Sequence, residues 1–163
     1  MSLTAPRPNW RDIAAVDKEI KIKILRSGAK IPDYATEGSA AADLRSAAEE
    51  PVVILPGARA MIPTGVAISL GSPEYVALIF ARSGLAVKKG ICLANGVGVI
   101  DSDYTGELIV GLLNTSDQPF TVEPGDRIAQ LAVMPVCRGI FTPVADLEET
   151  ERGAGGFGST GVK

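Results

Sequence analysis

The sequence predicts an all-β fold. Hydrophobic residues recur with a period of two, turn signals are closely spaced, and the segments between them are short. In residues 19–24, for example, Ile20, Ile22 and Ile24 fall on one side of an extended segment and charged residues on the other. This alternation is typical of a half-buried strand. Many short strands joined by glycine and proline turns favour an antiparallel sandwich or a barrel-like fold.

Eight further strands are predicted after the first, at short spacing along the chain. Their ranges are 52–55, 59–63, 65–70, 75–80, 98–100, 107–114, 120–122 and 128–135. Turn signals such as Pro56-Gly57 and Gly71-Ser72-Pro73 separate them.

A single short helix is predicted at 83–89. Ser83 is a good N-cap, two lysines complement the negative end of the helix, and Gly90 suits a left-handed C-cap. A further turn is predicted at 12–16. The expected fold class is therefore all-β with one short helix.

Composition excludes several kinds of chemistry. The 163 residues include no histidine, so His-ligated zinc sites, Ser-His-Asp triads and Cys-His pairs are excluded. A protein with a net charge of −3 has no overall positive potential to attract a polyanion, so we expect no nucleic-acid partner. A local basic pocket could still hold a small phosphorylated ligand. No segment approaches the roughly 18 apolar residues of a membrane span, and no signal peptide is visible. We expect a cytoplasmic protein without a membrane partner.

The glycine-rich segment 152–161 has two open interpretations. As a flexible Gly/Ser tail it would simply be mobile. Alternatively, its glycines let backbone N–H groups approach phosphate oxygens, and Arg152, Ser159 and Thr160 add donors. Phe157 offers a face on which a base could stack, worth about 1–3 kcal/mol.

Three regions are expected along the chain. Residues 1–18 form an N-terminal extension, 19–141 the β domain, and 142–163 an acidic tether followed by the glycine-rich lid. Fully extended, the tether at 142–151 could reach on the order of 33 Å, enough to lay the lid over a distant pocket or over a neighbouring subunit.

Asp101 directly follows two apolar strand residues, Val99 and Ile100. Aspartate at a strand end is often only part of a β-turn. It is also a place where a fold can fix a water-activating base, and both interpretations stay open on these residues alone. Asn95-Gly96 favours a tight hairpin, which would set Asn95 and the Gly98 backbone beside this carboxylate.

Three other polar positions also have two open interpretations each. Arg82-Ser83-Gly84 places a cation, a hydroxyl and an unhindered amide at a helix N-terminus, which suits an anion but equally a simple N-cap. Asp43 is either an Asx-turn former in a loop or a functional acid. Gln130 is either a surface amide or a residue facing a cleft or another subunit.

Five motifs, taken in order, are far more specific than any one of them. They are Ala-Asp-Leu-Arg-Ser (42–46), Arg-Ser-Gly-Leu-Ala (82–86), Gly-Val-Ile-Asp-Ser-Asp-Tyr-Thr-Gly-Glu (98–107), Gly-Asp-Arg-Ile-Ala-Gln-Leu (125–131) and Arg-Gly-Ala-Gly-Gly-Phe-Gly-Ser-Thr-Gly (152–161). Together they resemble the five motifs of the trimeric dUTP diphosphatases, over roughly residues 20–161.

This resemblance implies a homotrimer of distorted jelly-roll, or β-clip, subunits with three active sites at the interfaces. Motifs from different subunits would meet in each site, and the glycine-rich tail would close over it. The resemblance also implies Mg²⁺-assisted hydrolysis of dUTP to dUMP and pyrophosphate. Such an enzyme would limit uracil incorporation into DNA and supply dUMP for thymidylate synthesis.

The resemblance implies a role for each matching residue. Asp101 resembles the base that activates the attacking water, and Asp43 the acid that reaches the hydrated Mg²⁺, which the substrate phosphates mainly hold. Tyr104 resembles the residue packed under the sugar, and Phe157 the ring that stacks on the base. The residues that resemble phosphate contacts are Arg82, Ser83, Gly84, Gln130, Arg152, Gly158, Ser159 and Thr160, and those that resemble the uracil pocket are Asn95, Gly98, Val99, Ile100 and Ile109.

Small departures from the family pattern occur at Ala42, Ala81 and Thr105, and none touches the expected chemistry. Two rival functions remain. A dCTP deaminase of the same superfamily would need a glutamate and a different aromatic residue in the third motif, where this chain has Asp101 and Tyr104. A nucleotide-binding regulator without turnover would be expected to lack the base or the tail motif.

Overall fold

The structure is a computed structural model that describes residues 18–156. Within this range the chain forms ten β-strands and one short α-helix. In chain order they are β1 (Lys21–Ile24), β2 (Ala42–Arg45), β3 (Val52–Ile54), β4 (Arg59–Ser69), β5 (Tyr75–Ala81), α1 (Ser83–Lys89), β6 (Ile91–Leu93), β7 (Gly98–Ile100), β8 (Glu107–Asn114), β9 (Phe120–Val122) and β10 (Arg127–Pro135).

The strands form two four-stranded sheets and a two-stranded ribbon. One sheet has the order β1-β4-β8-β6, the other has the order β2-β10-β5-β7, and β3 pairs with β9. All the pairings between these strands are antiparallel. Both sheets and the ribbon contribute to one hydrophobic core, whose largest fully buried apolar side chains are Leu44, Ile54, Ile62, Leu70, Ile91, Leu108, Leu112 and Ile128. The all-β prediction with one short helix is thus confirmed.

Most predicted strands are confirmed within one or two residues, but two predicted segments are merged and two strands were not predicted. The segments predicted at 59–63 and 65–70 are one strand, β4, because Pro63 and Gly65 form an irregularity in its pairing with β8 rather than a turn. Gly65 has a φ of 70°, which glycine adopts without strain. Strands β2 and β6 were not predicted.

The first strand is shorter and less regular than the sequence predicts. Ile20 and Ile22 pack against the core as partly buried residues, but Ile24 is 46% exposed. β1 lies at the edge of its sheet and pairs only with β4 among the described strands. The predicted alternation of partly buried and exposed residues therefore ends before Ile24.

Helix α1 has the predicted bounds, but its N-cap is Arg82, not Ser83. Arg82 has extended backbone angles, φ −79° and ψ 127°, and makes no side-chain capping bond, so Ser83 is the first helical residue. Gly90 takes the left-handed C-cap with φ 67°. The turn predicted at 12–16 lies outside the described residues, and no helix within 18–156 is long and apolar enough to cross a membrane.

Candidate active site

The first cluster of predicted site residues surrounds the Asp43 carboxylate. Asp43 is only 2% exposed, in β2. Its Oδ1 accepts hydrogen bonds from Arg82 Nε at 3.1 Å and from Gln130 Nε2 at 3.4 Å, and its Oδ2 accepts one from Arg127 Nη1 at 3.0 Å. Two guanidinium groups thus compensate one buried charge, as a buried carboxylate requires.

Sheet pairing brings these residues together from distant parts of the sequence. Asp43 in β2 lies directly opposite Gln130 in β10. Arg82 follows the end of β5, the next strand of the sheet, and its Nη1 also donates to the Arg127 carbonyl at 3.2 Å. The pairing of β10 with β2 shifts register between Arg127 and Ala129. Because Asp43 lies within strand β2, its interpretation as a loop residue that forms an Asx-turn is wrong.

The second cluster lines a pocket of about 340 Å³ at the start of the loop that follows β7. Its lining residues are Met61, Val99, Ile100, Asp101, Tyr104, Glu107, Leu108 and Ile109. The pocket is therefore mainly apolar, and its polar lining residues are Asp101, Tyr104 and Glu107. Asp101 is exposed, and its carboxylate forms no ion pair with any residue between 18 and 156.

The loop between β7 and β8 is held by hydrogen bonds at both ends. The Tyr104 N–H donates to the Asp101 carbonyl at 3.1 Å, and Tyr104 Oη donates to the Glu107 carbonyl at 2.9 Å. The Tyr104 ring lies directly against Gly106, where an added Cβ would be 2.6 Å from Oη and 2.7 Å from Cζ. Only glycine allows the ring to lie in this position.

Glu107 joins three parts of the chain at the base of this loop. Arg26 donates from Nε to Oε1 at 2.7 Å and from Nη2 to Oε2 at 3.0 Å, and the Gly65 N–H donates to Oε1 at 2.9 Å. The hydrogen bond from Arg26 is the largest effect on the pKa of Glu107 and holds it below its ordinary value, although burial acts in the opposite sense. The same pair raises the pKa of Arg26.

Asp43 and Asp101, the aspartates of the two clusters, lie at opposite edges of one sheet. Asp43 pairs with Gln130 and Gln130 with Phe80, while Asp101 follows β7 on the far side of β5. The two carboxylates are separated by three strand spacings and about four residues along the strand direction. In a flat sheet this corresponds to a distance on the order of 20 Å.

The other predicted site residues lie outside both clusters. Asn95 is exposed, and the hairpin predicted at Asn95-Gly96 is wrong because that turn joins β6 to β7, which belong to different sheets. Gly98 is buried and pairs with Ile79 in β5.

Ser83 and Gly84 are exposed in the first turn of α1. Arg152 is exposed in the C-terminal segment, where its Nε donates to the Gly155 carbonyl at 2.8 Å. Phe157, Gly158, Ser159 and Thr160 lie outside the described residues.

Sequence reasoning missed three charged residues of these clusters. Arg127 stands inside the fourth motif, and Glu107 ends the third, but neither was singled out as a candidate. Arg26 follows β1 with no local signal of its partner, which is 81 positions away. For Arg127 and Glu107, the available signal was the position of a charged residue inside the fourth and the third motif.

The acidic side chains of the described residues do not form a preassembled metal site. No group of three or more Cys, Asp or Glu side chains suited to a metal occurs in the described part of the chain. Asp43 has its hydrogen-bonding capacity largely used by Arg82, Arg127 and Gln130, whereas the carboxylate of Asp101 faces solvent. This donor set fits Mg²⁺ held mainly by substrate phosphates and water, since this ion commonly takes only one or two protein carboxylates.

The antiparallel β fold, the two arginines that donate to the buried Asp43 and the apolar pocket beside the exposed Asp101 suit a β protein that binds a small anionic ligand. A family model described as dUTPase matches residues 27–161. The chain belongs to the dUTPase family.

Curated relatives and solved structures agree with this assignment. The chain is similar to the deoxyuridine 5'-triphosphate nucleotidohydrolase of Bordetella pertussis, with 51% identity over 88% of this chain and 98% of the relative. It is 53% identical to the corresponding protein of Actinobacillus pleuropneumoniae, over the same shares of the two chains.

Among solved structures, a mutant dUTPase of Staphylococcus bacteriophage 80alpha with dUpNHpp is similar with a TM-score of 0.80. It shares 30% identity with this chain, over 88% of this chain and 99% of the phage chain. A mutant dUTPase from phage phi11 of S. aureus, described for its structural Mg(II) ion, has a TM-score of 0.72 and 25% identity, over 80% of this chain and 99% of that one.

Proposed function

We propose that this chain hydrolyses dUTP to dUMP and pyrophosphate, with Asp101 as the base that activates the attacking water. The observation that carries the proposal is the position of Asp101. It is an exposed carboxylate without an ion pair in the described range, on the rim of a pocket large enough for a base and a sugar. A pocket beside an acid that has no ion pair in the described range suits the hydrolase activity named in the chain's relatives.

The pocket would hold the uracil and the deoxyribose. Val99 and Ile109 offer apolar sides, and the backbone of Gly98–Ile100 would supply hydrogen bonds to the base, with Asn95 brought in from the neighbouring turn. Fixed donors and acceptors reject cytosine because its exocyclic amine leaves buried groups unpaired. Tyr104 would lie under the sugar and leave no space for a 2′-hydroxyl.

The cluster around Asp43 would bind the phosphates. Arg82 and Gln130 are held by Asp43 at the surface of the sheet, so their remaining donors are already oriented. Ser83 and Gly84 would add contacts from the start of α1. Arg152, Phe157, Gly158, Ser159 and Thr160 would close over the ligand as a lid, with Phe157 stacked on the base.

A carboxylate is a weak base at neutral pH, so most of the acceleration must come from positioning and from charge neutralisation. Asp101 would orient a water for attack on the α-phosphorus and accept its proton. Mg²⁺ bound to the phosphates would supply Lewis-acid stabilisation of the developing charge. Asp43 would contact the hydrated ion only through water, since its oxygens are largely occupied by protein donors.

The separation of the two clusters supports an active site shared between subunits of a homotrimer. A base must come within about 3 Å of the proton that it removes. Within one chain, Asp101 and the Asp43 cluster lie on the order of 20 Å apart across the sheet, too far to act on one phosphoryl group. Jelly-roll subunits arranged as a trimer would bring the Asp101 of one chain to the phosphate cluster of another.

The decisive experiment measures pyrophosphate release from dUTP, dCTP, dTTP and UTP, with and without Mg²⁺, together with the mass of the protein in solution. We expect rapid Mg²⁺-dependent release from dUTP alone and the mass of a trimer. Ammonia release from dCTP would favour a deaminase. Tight dUTP binding without turnover would favour a regulator, and either result would overturn the proposal.

In a cell, the activity would limit uracil incorporation into DNA and supply dUMP for thymidylate synthesis.

A further inference from the structure

We propose that Arg26 and Glu107 act as a positioning pair that holds Tyr104 in place and thereby sets the discrimination between deoxyribose and ribose triphosphates. The inference rests on the proposed function, because the selectivity it explains is that of the same pocket. Neither residue needs to touch the substrate for this role.

A hydrogen bond connects the Tyr104 side chain to the main chain of Glu107. Tyr104 Oη donates to the main-chain carbonyl of Glu107 at 2.9 Å. The tyrosine is 46% exposed, so few packing contacts restrain its ring. This hydrogen bond and the close approach to Gly106 are what define the ring position. Movement of the Glu107 main chain would therefore move the ring.

Three hydrogen bonds hold the Glu107 side chain in place. Its side chain receives both a two-point hydrogen bond from Arg26 and one from the Gly65 N–H. A bidentate guanidinium–carboxylate pair fixes orientation as well as distance. The Gly65 N–H is available because the pairing of β4 with β8 is interrupted around this glycine.

The groups that hold Glu107 come from neighbouring strands of the same sheet. Arg26 follows β1, Gly65 belongs to β4, and Glu107 begins β8, which are three neighbouring strands of one sheet. The Leu25 N–H also donates to the Gly65 carbonyl at 2.8 Å, which ties Arg26 to the same point. The loop that carries Asp101 and Tyr104 is thus attached to the sheet through Glu107.

The experiment compares kcat/KM for dUTP and for UTP in wild type, R26M, E107Q and the double variant. We expect the dUTP-to-UTP ratio to fall about tenfold or more in each single variant, because a displacement of about 1 Å at a site is enough for such losses. The double variant should fall no further, since the two residues act as one unit. R26K, which keeps the charge but loses the two-point geometry, should fall less than R26M.

The control is R59M, which removes an exposed arginine at the start of β4 that contacts neither Glu107 nor the pocket. It should leave the ratio unchanged. A purely structural role for Arg26 would lower the amount of active protein and reduce both rates in proportion, which also leaves the ratio unchanged. The ratio therefore separates positioning from folding, and R26K gives the same readout should R26M fail to fold.

The outcomes distinguish the inference from the function on which it rests. If the wild-type chain does not hydrolyse dUTP, the proposed function and the inference both fail. If it hydrolyses dUTP, and Y104A lowers the ratio while R26M or R26K does not, the inference alone is overturned. If Y104A leaves the ratio unchanged, selectivity does not pass through Tyr104, and the inference is overturned while dUTP hydrolysis stands.

Discussion

Asp43 and Asp101 lie at the two edges of the same sheet, and the fold surrounds their carboxylates in opposite ways. Asp43 is 2% exposed in strand β2, and both of its oxygens accept hydrogen bonds from arginine or glutamine side chains. Asp101 is exposed at the end of β7 and has no ion-pair partner within residues 18–156.

The difference shows how one residue type serves two purposes in one sheet. A carboxylate whose acceptor positions are occupied by fixed donors orders those donors but has little capacity left for a water. A carboxylate that faces solvent keeps its lone pairs for a ligand or a proton. Asp43 is therefore suited to hold Arg82 and Gln130, and Asp101 is suited to react.

The largest expected effect is that of D101N on turnover. Asparagine keeps the size of the side chain but cannot accept the proton, so kcat for dUTP should fall about 100- to 10,000-fold. The dissociation constant of dUTP should change little, because the pocket itself is unaltered. Rapid-quench or steady-state pyrophosphate assays, with calorimetry for binding, measure the two quantities.

D103N is the matched control for D101N. Asp103 is an exposed aspartate of the same loop that does not line the pocket. Its replacement should leave kcat within about twofold, as is usual for surface substitutions away from a site. Equal losses in the two variants would show that the loop needs its charge rather than a base at position 101.

G106A should have the next largest effect, by moving the other rim residue of the pocket. A Cβ at this position would lie 2.6 Å from Tyr104 Oη, so the ring must move away. Because the ring is the end of a flexible, half-exposed side chain, the protein should still fold. We expect kcat/KM for dUTP to fall about 10- to 100-fold with little change in the unfolding midpoint.

G111A provides the comparison for G106A. An added Cβ at Gly111, in the same strand region, would lie 3.7 Å from Ala94 Cβ, which is an ordinary contact. This variant should retain kcat/KM within about twofold. A large loss of stability in G106A, rather than of activity, would contradict the view that the ring gives way.

The sequence predicts the strand that precedes Asp101 at one edge of the sheet, but not the strand that contains Asp43 at the other edge. The Asp101 edge was predictable because β7 is a short apolar segment that begins at Gly98 and is followed by turn residues. The Asp43 edge was not, because β2 consists of Ala-Asp-Leu-Arg, whose alanine and aspartate have low strand propensity. Only pairing with β10 and burial of Leu44 make it a strand.

The partners of Asp43 could not be read from local patterns for a related reason. They are 39, 84 and 87 positions away in the sequence, and only the strand order brings them together. The merging of two predicted strands into β4 has the same origin. Pro63 and Gly65 are typical turn residues, but pairing with β8 on both sides of this irregularity, and with β1 after it, makes residues 59–69 one strand.

D43N should affect stability more than the corresponding change at Asp101. Asparagine removes the charge that compensates Arg82 and Arg127, and a charged hydrogen bond in a partly buried setting is worth about 1–3 kcal/mol. Urea unfolding should show a loss of this size. D101N should unfold within about 0.5 kcal/mol of wild type.

D33N is the control for D43N. Asp33 lies next to Asp43 in an isolated bridge, but its side chain is 58% exposed and its distance to Arg45 Nε is 3.7 Å. An exposed pair of this kind contributes about 0–1 kcal/mol. If D33N cost as much as D43N, burial would not be what distinguishes the two carboxylates.

A smaller effect on stability is expected at Glu107, which lines the same pocket as Asp101 but is paired like Asp43. Its pKa is below the ordinary value because of Arg26, so its contribution to stability is complete above about pH 4.3, the pKa of an unpaired glutamate. The contribution is lost as the pH falls through the lower, folded-state pKa. E107Q should therefore melt about 1–3 °C below wild type near pH 7, and the gap should narrow below about pH 4.

Melting curves of wild type, E107Q and E50Q between pH 7 and pH 3 make this test. Glu50 is exposed and forms no ion pair within the described residues, so E50Q should follow the wild-type curve. A gap that widens as the pH falls would mean that Glu107 is stabilised in its protonated form, and the attachment of the loop that carries Asp101 would then not depend on the charge of Arg26. A narrowing gap places Glu107 with the paired Asp43, although it lines the same pocket as the free Asp101. Pairing, rather than position in the sheet, would then be what separates the anchoring carboxylates from the reactive one.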